Sequence, residues 1–70
     1  MKMQDYKTIL YCQKDGSWVA EIPVIPGCYA LMNTREEALE ELAKVFVMIA
    51  DEYREENLSL PADTPEIIHA

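Results

Sequence analysis

Asp15-Gly16 stands between two short runs rich in β-branched and aromatic residues, Tyr6 to Cys12 and Trp18 to Ile22. An Asp-Gly pair in that setting signals a hairpin, because a two-residue type I′ turn needs positive φ at both central residues. With Asp15 and Gly16 at those positions, Lys14 opposes Ser17 and Tyr11 opposes Ala20. That register puts Ile9, Tyr11, Trp18, Ala20 and Ile22 on one face, the expected core side. Tyr6, Thr8, Leu10, Cys12, Val19 and Glu21 fall on the other. This second face is apolar for a solvated one: either a small sheet cannot cover itself, or a second copy or a partner packs there.

Pro23-Val24-Ile25-Pro26-Gly27 ends the second strand, since proline donates nothing to a ladder. Pro26-Gly27 suits the centre of a type II turn, and Cys28 to Met32 reads as a third strand. Thr34-Arg35-Glu36-Glu37 is a capping box: the Thr34 hydroxyl accepts from the Glu37 amide while the Glu37 carboxylate reaches back. Leu39, Leu42, Phe46, Ile49 and Tyr53 then recur at spacings of three and four, with Ala43 and Ala50 beside them. The pattern predicts one amphipathic helix from Arg35 to about Glu56, stopped by Asn57 in a left-handed conformation. The segment after it is extended, and Glu66 to Ala70 is a short fourth strand or a frayed end. The fold class is α+β: a three-stranded antiparallel sheet packed by one long helix, β-β-β-α(-β). A chain of 70 residues holds a single domain, residues 1–70, with its core at about 5–57 and the tail or last strand at 58–70.

Charge narrows the partners. Thirteen acidic against six basic residues give a net charge of −7, which repels a phosphate backbone and favours basic proteins. No run approaches the roughly 18 apolar residues of a membrane span. Met1 to Lys7 lacks the apolar stretch of a signal peptide. Cys12 and Cys28 have no C-x-x-C spacing, so a cytoplasmic chain with reduced thiols is expected. No convergent catalytic set appears. The single histidine, His69, is next to the C-terminus, and both glycines are taken by turns, leaving none for a phosphate loop. Most acidic residues crowd onto the helix, and within the strands only Glu21 is acidic, so no carboxylate cluster forms on adjacent strands. The expectation is a protein without enzymatic activity, cofactor or metal.

Some apolar residues do not fit the helix stripe. At 100° per residue Val45 and Val47 sit on its flanks and Met48 lies nearly opposite. Val45, Met48 and Glu52, together with Glu41, are therefore the expected partner or self-association surface on the helix, and Leu10 and Val19 that on the sheet. A contact through the acidic back of the helix would use Glu37, Glu41, Lys44 and Glu52, with Glu40 and Lys44 forming an i, i+4 pair. The exposed sheet edge is the other candidate, because its unpaired backbone groups recruit strands.

Tyr6 to Tyr11, Asp15-Gly16-Ser17-Trp18-Val19-Ala20-Glu21-Ile22-Pro23, Ile25-Pro26-Gly27-Cys28 and Asn33-Thr34-Arg35-Glu36-Glu37-Ala38-Leu39-Glu40-Glu41-Leu42 follow one another in an order that resembles the HicB-type antitoxin domain. The resemblance spans roughly Tyr6 to Asp63. It implies a partial RNase H-like fold lacking that enzyme's active site, and binding to HicA, a small basic toxin that cleaves mRNA. Neutralisation would come from covering the toxin's RNA surface and catalytic histidine. Many HicB antitoxins carry a C-terminal DNA-binding domain; this sequence reads as a short form without one, so direct DNA binding is not expected. The alternative is a solitary HicB-like domain that assembles only with itself, as a homodimer or larger, in a binding or scaffolding role.

Overall fold

The hairpin forms around three residues rather than two. In the computed structural model, which describes residues 3–62, β1 (Ile9–Cys12) and β2 (Trp18–Glu21) pair antiparallel with Leu10 opposite Ala20 and Cys12 opposite Trp18. The Gly16 amide donates to the Gln13 carbonyl at 3.0 Å, and the Gln13 amide donates to the Ser17 carbonyl at 2.7 Å. With Gly16 at φ +91° this is a type I turn followed by a glycine bulge. Only glycine then takes positive φ, whereas a two-residue type I′ turn would have forced Asp15 there as well. The Asp15 carboxylate accepts from the Ser17 hydroxyl at 2.6 Å and the Ser17 amide at 2.9 Å, locking the loop.

One extra loop residue moves the register by one and turns every side chain of β1 over. Leu10, expected outside, shares the inner face with Ala20 and packs against the core. Ile9 and Tyr11, expected inside, point outward and are exposed. Tyr6 is also displaced from its expected outer position. It is buried in the core, with its ring 5.8 Å from that of Phe46 and its hydroxyl donating to the Pro61 carbonyl at 2.6 Å. Packing therefore continues past residue 57, since Leu60 also rests against the core.

Between β2 and β3 (Tyr29–Met32) the chain makes two consecutive turns. Ile25 donates to the Ile22 carbonyl at 3.1 Å and Cys28 to the Ile25 carbonyl at 3.2 Å; Ile22 closes the loop by donating to Cys28 at 2.9 Å. Pro23 and Pro26 occupy the second position of each turn, where fixed φ is an advantage, and Gly27 at φ +76° completes the type II turn. The three residues that anchor these turns, Ile22, Ile25 and Cys28, are each buried. The motif thus turns the chain and contributes to the core at once. β3 pairs antiparallel with β2, giving the order β1-β2-β3. The third strand begins at Tyr29 rather than Cys28, because the Cys28 amide is spent on the turn.

The helix α1 (Arg35–Glu55) covers the inner face, lying over β2 and β3. Its Thr34 cap accepts from the Glu37 amide at 3.1 Å, and the Thr34 hydroxyl donates to the Glu37 carboxylate at 3.0 Å. The expected box is therefore half formed, with the carboxylate meeting the hydroxyl. At the other end Asn57 takes φ 58°, Leu58 donates to Tyr53 at 2.8 Å and Asn57 to Arg54 at 3.0 Å, a Schellman stop. Ala38, Leu42 and Phe46 are buried, with Leu39, Val45 and Ile49 packed beside them against Ala20 and Ala30. Two alanines on the sheet leave room for the bulkier helix residues, as close packing requires. The result is the α+β, β-β-β-α arrangement. Residues 66–70, read from sequence as a short fourth strand or a frayed end, lie outside the described residues.

Candidate functional site

The surface divides into two unlike halves. On the helix side, Glu36, Glu37, Glu40, Glu52, Glu55 and Glu56 are exposed, and no charged residue is buried among the described residues. Negative side chains in the first turn suit the positive end of the helix dipole, and Arg54 suits the last. Lys44 lies 4.0 Å from Glu41 at i, i+3, not paired with Glu40 as expected, and Arg54 meets Asp51 at 2.6 Å. Such exposed pairs contribute little stability and leave the field of this side strongly negative.

Met48 is 56% exposed on this acidic side, next to exposed Val47 and one turn from exposed Glu52. Val45 is not part of that surface. It packs against the core, because α1 is turned so that its apolar stripe includes Ala38 and Val45. Glu41 is half-buried beside Lys44. Of the helix residues expected to meet a partner, the structure thus keeps Met48 and Glu52 exposed and withdraws Val45. An open groove between the end of α1 and the returning tail is lined by Ala50, Tyr53, Arg54, Leu58 and Leu60.

The outer sheet face is of the opposite kind. Its side chains stand in two cross-strand rows, Ile9–Glu21–Tyr29 and Tyr11–Val19–Leu31. Val19, expected on this face, is there, but it is buried on the central strand with Tyr11 and Leu31 on either side. Ile9, Tyr11, Tyr29 and Leu31 are the exposed members. Sequence reasoning put Ile9 and Tyr11 inside and gave Tyr29 and Leu31 no face; for the first two the signal was available, since Gln13, Lys14, Asp15, Gly16 and Ser17 fit a three-residue loop as well as a two-residue one. Among the described residues, β1 and β3 are the edge strands of the sheet.

Among the described residues no group of three or more His, Cys, Asp or Glu gathers where it would hold a metal ion. Within β1, β2 and β3, the strands among the described residues, Glu21 is the single acidic residue. Cys12 is exposed, whereas Cys28 is buried and that burial pushes its thiol above its ordinary pKa. Among the described residues no helix is long and apolar enough to cross a membrane.

Two curated proteins resemble the chain along most of its length. UPF0150 protein ssl0259 of Synechocystis sp. is 38% identical over 63 residues, covering 90% of this chain and 86% of the relative. UPF0150 protein Ta0767 of Thermoplasma acidophilum is 29% identical over 63 residues, covering 90% of this chain and 91% of the relative. No family model and no solved structure matches.

Proposed function

The chain belongs to the UPF0150 family, and on that premise we propose that it is a HicB-like antitoxin-type module that binds a small basic HicA-like ribonuclease and catalyses nothing itself. The observation that carries this reading is the folded signature. The Asp15–Gly16 hairpin, the Pro23-to-Cys28 double turn and the Thr34-capped helix occur in the order and spacing of the HicB-type pattern. The charge distribution supplies the mechanism. A toxin that grips RNA must present a basic surface, and the exposed Glu37, Glu40 and Glu52 of α1 offer carboxylates in place of phosphates. Docked there, the module excludes RNA from the toxin's own site by occupying it, in the cytoplasm where mRNA is cleaved.

The test is capture of the tagged protein from its native lysate at low salt, followed by mass spectrometry and an RNA-cleavage assay. A small basic HicA-like protein is expected in stoichiometric amount, with its cleavage of RNA abolished in the complex. Complementary charge makes that complex weaken as salt rises, because screening shortens the reach of the carboxylates. Recovery of the protein alone at low salt would overturn the reading.

A further inference from the structure

We propose that the outer face of the sheet is a homodimer interface, in which two copies stack sheet on sheet with their helices turned outward. Four half-exposed apolar side chains, Ile9, Tyr11, Tyr29 and Leu31, surround the buried Val19 on a face that no element among the described residues covers. Together they offer on the order of 400 Å² of exposed, mostly apolar surface, within the range at which monomer patches are commonly functional. That is about half of the ~800 Å² each partner gives to a standard interface, and edges and rim supply the remainder. Antiparallel sheets stack in this way about 10 Å apart with interdigitated side chains.

The distribution of charge favours this face for a second copy. The chain carries −7, so two copies repel wherever their acidic surfaces approach. Seven acidic residues lie in α1 and Glu56 caps it, all on elements placed on the other side of the sheet. The outer rows contain one charge, Glu21, which stands between Ile9 and Tyr29 at the last residue of β2. A like-charged copy meets least repulsion on this face, whereas a basic partner is drawn to the helix. A two-fold contact also needs only one patch, presented by both copies, and a mostly apolar face with a single charge suits that arrangement. The inference does not rest on the antitoxin reading, and such a dimer would leave both acidic helices free.

Sedimentation of the full chain across concentration tests it. The wild type is expected to dimerise. Leu31→Glu and Tyr29→Glu are each expected to weaken the dimer about a hundredfold, since each buries an unpaired carboxylate twice in a two-fold interface. Met48→Glu, on the helix side, is expected to leave it intact. If Leu31→Glu loses its helical circular dichroism, Tyr29→Glu decides, because Tyr29 is 60% exposed and not needed for the core. A salt series on the wild type reads the same point without any variant. Screening like charges should tighten the dimer between about 0.02 M and about 0.3 M salt, the reverse of the change expected for a charge-steered toxin complex. A monomer at about 0.1 mM, a dimer that survives both sheet variants, or one lost with Met48→Glu would overturn the assignment, whatever becomes of toxin binding.

Discussion

The two faces of the sheet have nearly the same chemistry and opposite fates. Inside stand Leu10, Trp18, Ala20, Ala30 and Met32; outside stand Ile9, Tyr11, Val19, Tyr29 and Leu31, with Glu21. An antiparallel sheet covered on one side is expected to alternate apolar and polar residues, and here it does not. The difference lies in side-chain size rather than polarity. The inner face places alanines at the centre of β2 and β3, where α1 needs close approach, and the outer face has aromatic and branched residues there. Among the described residues a single α-helix gives cover for one face, so size selects the face the helix takes and the other stays available.

The largest effect that would sharpen this contrast comes from paired leucine truncations. Leu42→Ala removes a fully buried helix side chain and is expected to cost about 2–5 kcal/mol in urea unfolding. Leu31→Ala, measured at a dilution that excludes association, is expected to cost less than about 0.5 kcal/mol. Equal losses would mean that the outer face is as much a core as the inner one. Next in size, Ala20→Leu forces bulk under α1 and is expected to cost about 1–3 kcal/mol. A stabilised Ala20→Leu variant would show that the helix does not press on the inner face.

Smaller still is the helix cap. Thr34→Ala leaves the Glu37 amide without its acceptor and is expected to lower stability by about 1 kcal/mol, read by thermal unfolding followed at the helix signal. An unchanged midpoint would mean that the cover is held by packing alone. The smallest effect concerns Asp15, in the loop of the hairpin. Hydrogen bonds from the Ser17 hydroxyl and then the Ser17 amide hold its carboxyl below the ordinary value of 3.8. A lowered folded-state pKa contributes stability that is present above the unfolded value and lost as pH falls through the folded one. NMR titration should therefore place the Asp15 midpoint below its ordinary value, with the Ser17 amide shifting at that same midpoint. A normal titration would disconnect the loop from its Asp15–Ser17 lock.

Much of this was legible in the residues. Turns at Gly16 and Gly27, the Thr34 cap, the Asn57 stop and the Leu42–Phe46 stripe each follow from local stereochemistry or period, which a chain cannot evade. The candidate surfaces were read less well. Met48 and Glu52 could be placed outward from helical angle alone, but Val45 could not, since a flank position goes inward or outward according to how far the helix rolls on its sheet.

Local sequence determined which elements exist and where they start and stop, because capping, positive φ and proline geometry act within a few residues. It also determined that the charge would collect on the helix. Tertiary structure alone decided that Leu10 faces in and Tyr11 out, that Tyr6 fills the core against Phe46, and that Val45 is packed rather than presented. In each case the competing arrangement satisfies the same local rules. What separates them is whether space facing the helix is filled without stranding a polar group, and that space does not exist until sheet and helix have met.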